Sequence, residues 1–288
     1  MLDQGYALEK IAAMTGGTLV GMPGNLLIQE LLTDSRKLTS PEHSLFFAIV
    51  TSHNDGHHYI SELYQKGVRC FCVSKMPAQP LQDAAFIRVE DTLEALQRLA
   101  GAHRTRFNYP VIGITGSNGK TIIKEWLWQL LSPEKTIVRS PKSFNSQIGV
   151  PLSVWQMKEL HNLAIIEAGI SQPGEMDRLE SIIKPSIGIL TNIGHAHDQF
   201  FISPEQKTTE KLKLFTNSDL LIYCSDKPII SECIVKSGIN EKKLFSWGKT
   251  GKPCLRIENI FIDKASTAIS GIYQGGALKI SIPFTDEA

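Results

Sequence analysis

The stretch Gly113-Ile114-Thr115-Gly116-Ser117-Asn118-Gly119-Lys120-Thr121 decides how this chain is read. It follows the apolar segment Tyr109-Pro110-Val111-Ile112. It leads into a run with Ile122, Ile123, Trp126, Leu127, Leu130 and Leu131 at helical spacing. Strand, glycine-rich loop, Lys-Thr and helix is the order of a phosphate-binding loop. Glycines let backbone N–H groups converge on phosphate oxygens, and the helix start adds its positive dipole end. Lys120 would reach the outer phosphates, and the Thr121 hydroxyl would ligate Mg²⁺. The spacing departs from G-x-x-x-x-G-K-[ST], because Ile114 stands five residues before Gly119. A bare Gly-Lys-Thr is a weak signal; the strand before it and the helix after it make this one a nucleotide site.

Beyond this loop, strands are expected at 136–138, 163–166, 187–190 and 220–223, alternating with helical segments. That alternation predicts a doubly wound, mostly parallel α/β sheet, which binds ligands at the carboxyl ends of its strands. From about residue 254 the pattern changes to short alternating strands at 255–257 and 278–282. The chain stops directly after such a strand with no closing helix, which reads as a truncation.

Before the loop, residues 1–106 read as a small α/β domain, with residues 107–288 as the second. Expected there are a helix at 6–14 stopped by Gly16-Gly17, a strand at 45–49, a helix at 59–65 and strands at 68–73 and 86–89. Asp91 can cap a helix from Thr92 to about His103, with Leu93, Leu96, Leu99 and Ala100 on one face. The polar stretch from Gly101 to Pro110 marks the boundary.

The 288 residues are 42% hydrophobic and 20% charged, with a net charge of +1. This balance gives no electrostatic case for nucleic acid or an anionic membrane surface. No apolar run reaches transmembrane length, and no basic-then-apolar leader opens the chain. The five cysteines form no C-x-x-C pair, which favours reduced, buried thiols and a cytoplasmic protein.

Glu167 directly follows an apolar strand, and a carboxylate at that position is well placed to hold Mg²⁺ opposite Thr121. His195 and His197 follow the strand ending Leu190-Thr191-Asn192. Mg²⁺ prefers oxygen, so one of them beside a magnesium is compatible and two are not. His53, His57 and His58 have poor spacing for zinc and no accompanying cysteine, which favours a structural or substrate-touching loop. Lys207, Lys211 and Lys213 lie on an amphipathic helix, where a solvated basic face is the simplest reading.

With these residues in hand, the chain resembles the Mur ligases, ATP-dependent amide-bond-forming enzymes of peptidoglycan synthesis. The resemblance rests on residues 113–121 and on further stretches that agree in order. Thr33-Asp34-Ser35-Arg36 resembles a uridine-nucleotide-binding turn, followed by Leu45–Ile49 and Asn54–Ile60. Ser143–Pro151 is similar to the segment that touches the muramyl peptide, through Asn145 and Ser146. Glu167–Met176 resembles the Mg²⁺-glutamate loop, in the form carried by members that add D-alanyl-D-alanine. Thr191–His197 carries the metal-binding histidine at His197, and Lys211 falls on a lysine that is commonly carbamylated. Ser146-Gln147 stands where members often have Asn-Glu.

The resemblance implies ATP and Mg²⁺ as cofactors, with ATP held by Thr115, Gly116, Ser117, Asn118, Gly119, Lys120, Thr121 and Asn192. It implies metal ligation by Thr121, Glu167, His197 and Lys211, and chemistry carried by Lys120, Glu167, His197 and Lys211. Asp34, Ser35 and Arg36 would grip UDP-N-acetylmuramoyl-tripeptide, the acceptor of D-Ala-D-Ala. The family's third, C-terminal domain is missing from the chain, so the fragment alone is expected to be inactive. Glu210–Phe215 also resembles members fused to a downstream alanine racemase.

Other readings share parts of this pattern: a ligase adding the third peptide residue, a folylpolyglutamate-synthase-like enzyme, a P-loop kinase or motor, and a non-catalytic binding module. The 167–176 stretch argues against the first. The Asp34–Arg36 turn in a separate domain argues against the next two.

Overall fold

The computed structural model describes residues 5–21, 24–79, 81–194 and 200–285. The backbone divides into two compact units, Met1–Arg106 with Val154–Lys158, and Phe107–Ser153 with Glu159–Ala288.

The first unit contains strands β1 (Tyr6–Ala7), β2 (Thr18–Val20), β3 (Leu27–Ile28), β4 (Glu30–Leu32), β5 (Ser44–Phe47), β6 (Cys70–Val73) and β7 (Ala85–Arg88). Its helices are α1 (Leu8–Thr15), α2 (Ile60–Gln65) and α3 (Thr92–Arg104). The expected helix at 6–14 begins two residues late, because Tyr6 and Ala7 pair antiparallel with Leu27 and Ile28. The main sheet runs β2-β7-β6-β5-β4, parallel from β4 to β7 with β2 antiparallel on the edge. Its four-residue parallel strands are largely apolar because both faces are covered. Phe46, Phe71 and Phe86 meet in its core, with the last two stacked at 5.5 Å. Asp91 caps α3 through Leu93 N and Glu94 N, as its position before an apolar-periodic run predicts. The segment Val154–Lys158 belongs to this unit through Trp155, whose ring lies 5.2 Å from Tyr6 and 4.7 Å from His103.

The second unit carries a nine-stranded sheet. Its strands are β8 (Val111–Thr115), β9 (Ile137–Arg139), β10 (Leu163–Glu167), β11 (Ile187–Leu190), β12 (Leu220–Cys224), β13 (Leu244–Gly248), β14 (Leu255–Ile262), β15 (Thr267–Tyr273) and β16 (Gly276–Ile282). The order is β16-β15-β14-β13-β12-β11-β8-β10-β9, parallel from β14 through β9. The final strands form an antiparallel meander longer than the short segments expected. Helices α4 (Lys120–Leu131), α5 (Gly149–Val154, all but its last residue), α6 (Glu175–Ile183), α7 (Pro204–Leu212) and α8 (Pro228–Ser237) belong to this unit. Ile123, Leu127, Trp128 and Leu131 of α4 pack on Ile112, Ile114, Leu163 and Ile165. The order of strand succession reverses around β8: β10 and β9 lie on one side and β11 on the other. Crevices at such switch points are where doubly wound sheets bind ligands. Among the described residues, no helix is long and apolar enough to cross a membrane.

Candidate active site

Sheet register builds the site. Ile114 pairs with Glu167 on one side of β8, and Thr115 pairs with Leu190 on the other. The 113–121 loop therefore leaves β8 between the end of β10 and the 191–194 segment. Gly116 has φ 148°, and a Cβ there would lie 1.9 Å from Thr191 Oγ1, so no side chain fits. Gly119, with φ 79°, is the cap residue of α4.

The loop is held by its neighbour strand. Ser117 N donates to Asn192 O (2.8 Å), Asn118 N to Asn192 Oδ1 (3.0 Å), and Thr191 Oγ1 to Asn118 O (2.6 Å). Gly194 N donates to Ser117 Oγ (3.0 Å). Asn192, expected as a cofactor-binding residue, thus shapes the loop. The first amides of α4 have no acceptor within the helix and are directed to its N-terminal end. Thr115 Oγ1 is buried without a hydrogen-bond partner.

Three ammonium groups gather on this loop and on the adjoining 191–194 segment. Lys120 Nζ donates to Gly116 O (2.8 Å) and Ser117 O (3.3 Å), and Lys211 Nζ to Gly116 O (3.3 Å). Lys207 Nζ donates to Gly194 O. Burial lowers the pKa of the Lys120 ammonium from its ordinary value, opposed by the Glu167 carboxylate. Lys211 is pulled down to about 7, by burial first and then by Lys120 and Lys207. A concentration of cations beside glycine-loop amides is an anion site in electrostatic terms.

Glu167 is fully buried at the end of β10. Its Oε2 accepts from Thr121 Oγ1 (3.1 Å) and stands at the limit of hydrogen bonding from Asn145 Nδ2 (3.5 Å). Its Oε1 lies 3.0 Å from Lys124 Nζ as an ion pair without an aligned hydrogen bond. Thr121 and Glu167 supply oxygen donors, and the buried Oε1 has no aligned donor. Mg²⁺ is commonly held by one or two carboxylates plus substrate phosphates, so these residues fit it. Among the described residues no group of three His, Cys, Asp or Glu forms a metal cluster. His195 and His197 lie outside the described residues.

The remaining candidates have other surroundings. Ser146 Oγ accepts from Gly149 N (3.1 Å) at the start of α5, and Gln147 Nε2 donates to Glu175 O (3.2 Å). In the first unit, Asp34 and Arg36 form a two-point fork, Nε–Oδ1 and Nη2–Oδ2 both 2.8 Å, with the guanidinium 86% exposed. This pairing keeps the Asp34 carboxyl below its usual range. Ser35 sits between them in a short 3₁₀ turn. His57 is structural: Nδ1 meets Asp55 Oδ1 at 2.6 Å, and Nε2 accepts from Ser74 N and Lys75 N.

Sequence reasoning missed Lys124 and Lys207 as parts of the site. Lys124 is three residues beyond Thr121 on α4, so both share a helix face. That spacing was the available signal.

The Mur ligase middle domain, as a family model, matches residues 114–287. The chain belongs to the Mur ligase family. It is 34% identical over 227 residues to a UDP-N-acetylmuramoyl-tripeptide–D-alanyl-D-alanine ligase of Bacillus subtilis (strain 168), covering 77% of this chain and 49% of that protein. Among solved structures it resembles MurF from Acinetobacter baumannii, with TM-score 0.86 and 22% identity, covering 97% of this chain and 61% of that one. It also resembles MurF ligase from Thermotoga maritima in complex with ADP, with TM-score 0.75 and 23% identity, covering 90% and 59%. At those identities the likeness establishes the Mur ligase fold. The chain spans about half the length of the curated relatives it matches.

Proposed function

We propose that this chain is the nucleotide- and ATP-binding part of an ADP-forming ligase of cytoplasmic peptidoglycan synthesis. The ligase joins D-Ala-D-Ala to UDP-N-acetylmuramoyl-tripeptide through an acyl phosphate. The observation that carries this reading is the meeting of Lys120, Thr121, Glu167 and Lys211 at one edge of the sheet, in a chain whose relatives bear that ligase's name.

In this reading the tripeptide's terminal carboxylate attacks the γ-phosphorus of ATP and ADP leaves. The amine of D-Ala-D-Ala then attacks the acyl carbon, losing a proton and expelling phosphate. Lys120 turns from its loop carbonyls to the transferring phosphoryl group and stabilises its charge. Mg²⁺ held by Thr121, Glu167, His197 and a carbamylated Lys211 would offset the repulsion between carboxylate and triphosphate. Lys211 is suited to carbamylation because a neutral amine is the nucleophile toward CO₂, and its lowered pKa supplies one. The product is an anionic carbamate and a released proton. Asp34, Ser35 and Arg36 hold the uridine nucleotide, and Asn145 and Ser146 contact the muramyl peptide. The protein mainly positions its substrates.

The test is calorimetric titration of the chain with UDP-N-acetylmuramoyl-tripeptide and separately with Mg·ATP. Binding of both is expected. Binding of Mg·ATP alone would remove the substrate assignment at Asp34–Arg36. In a complete ligase, Lys120→Ala should abolish ligation and leave UDP-substrate affinity within about twofold; near-normal turnover would refute the role of Lys120.

A further inference from the structure

Lys124 is a buried ammonium to which the proposed mechanism gives no part. It projects from α4 with no solvent exposure. Its Nζ donates to Ser140 O (2.8 Å) and to Lys142 O, and lies 3.0 Å from Glu167 Oε1 and 3.1 Å from Glu125 Oε1. The two carbonyls belong to the turn that follows β9. Ser140 is itself fixed to β10, since its N donates to Ile165 O (3.0 Å) and its Oγ accepts from Glu167 N (3.1 Å).

The turn is strained. Phe144 N donates to Pro141 O (3.0 Å), and Lys142, inside the turn, has φ 49°. That left-handed position is ordinarily taken by Gly, Asn or Asp, and a lysine there persists only when its surroundings enforce it. The Lys142 carbonyl is one of the oxygens gripped by Lys124. The turn leads at once to Asn145, whose O accepts from Gly169 N (2.8 Å) and whose Nδ2 stands 3.5 Å from Glu167 Oε2.

We propose that Lys124 is a positioning residue that locks the Pro141–Phe144 turn and Glu167 into one geometry. It holds Glu167 Oε1 so that Oε2 stays directed at Thr121, and it holds the strained turn so that Asn145 reaches the same carboxylate. One ammonium thereby sets the metal-binding carboxylate and the muramyl-peptide segment together. The inference rests on the reading of Glu167 as a Mg²⁺ ligand.

The experiment measures ADP affinity by calorimetry, with and without Mg²⁺, for the wild-type chain, Lys124→Met, Lys142→Gly, the double variant and Glu167→Gln. Thermal melts establish folding. Lys124→Met should leave metal-free ADP affinity within about twofold and cut the Mg²⁺ enhancement about tenfold, the range for losing an outer-shell partner of a metal site. Lys142→Gly alone should change the enhancement less than about twofold. In the Lys124→Met background it should restore roughly threefold, because glycine adopts the turn without being held there. A merely charge-balancing lysine would show no such rescue. Full Mg²⁺ enhancement in Lys124→Met, or no recovery in the double variant, overturns the proposal. Unchanged enhancement in Glu167→Gln overturns the ligand assignment itself; loss there with none in Lys124→Met counts against Lys124 alone. If Lys124→Met does not fold, Lys124→Arg takes its place. Arg keeps the charge but its planar fork cannot reproduce a point ammonium's contacts, so the same criteria apply.

Discussion

Lys211 is the residue whose chemistry can be read from stability alone. It is 3% exposed, with Lys120 and Lys207 as neighbouring cations, and its pKa falls from 10.5 to about 7. The folded state therefore disfavours the charged form. Between about pH 7 and 10.5 the unfolded chain carries a proton that the folded chain does not, so stability rises with pH across that window. The contribution is fully present above the unfolded value and is lost as pH falls through about 7. A fall of one in pKa corresponds to about 1.4 kcal/mol, which bounds the whole effect at about 5 kcal/mol. Lys211→Met removes the charge and keeps most of the apolar stem. Below pH 7 the variant should be more stable than wild type by a few kcal/mol, and that advantage should shrink by about 1.4 kcal/mol per pH unit above it. Urea unfolding of both chains from about pH 6 to pH 10 gives the difference directly, and titrating groups distant from Lys211 cancel. A difference that stays flat with pH would refute the reasoning. Anions seated among the three lysines favour the charged form. In Mg²⁺-free buffer stripped of CO₂, where Lys211 is a free amine rather than a carbamate, ADP binding near pH 8 should therefore take up a proton in wild type and less in the variant, seen as a dependence of binding heat on buffer ionisation.

Gly116→Ala should cost about 1–3 kcal/mol from backbone strain alone and abolish ADP binding, because its Cβ would lie 1.9 Å from Thr191 Oγ1. A melt and an ADP titration check this; unchanged ADP affinity would mean the loop is not the nucleotide site. Arg36→Ala removes one two-point donor fork and should weaken UDP-N-acetylmuramoyl-tripeptide binding about tenfold with ADP affinity unchanged. Equal binding of the UDP substrate would remove Arg36 from that site.

Much of the candidate site was legible because it is local in sequence. Residues 113–121 contain the glycines, the lysine and the hydroxyl in one contiguous turn, and the apolar segments on either side identify its strand and helix. Asp91 reads as a cap because the capping bond spans only to Leu93 and Glu94. The alternation of apolar strands with helices implied a parallel sheet for the same reason: each unit writes its period into consecutive residues. Tyr6 and Ala7 read as helix because nothing local reveals their partners Leu27 and Ile28.

Tertiary structure decided what depends on distance across the chain. The pairing of Lys124 with Glu167 joins positions 43 residues apart, and exists only because β10 lies in register beside β8. Lys211 looks like a solvated basic residue on an amphipathic helix until burial beside Lys120 and Lys207 makes its ammonium costly. The Val154–Lys158 segment leaves one unit's sequence to pack in the other, a choice made by Tyr6 and His103 around Trp155. Sequence alone marked the 113–121 loop as a candidate phosphate site. The ionisation and aim of the groups around it were decided by the fold, since desolvation and charge–charge energies depend on what surrounds a group in space, not on its neighbours along the chain.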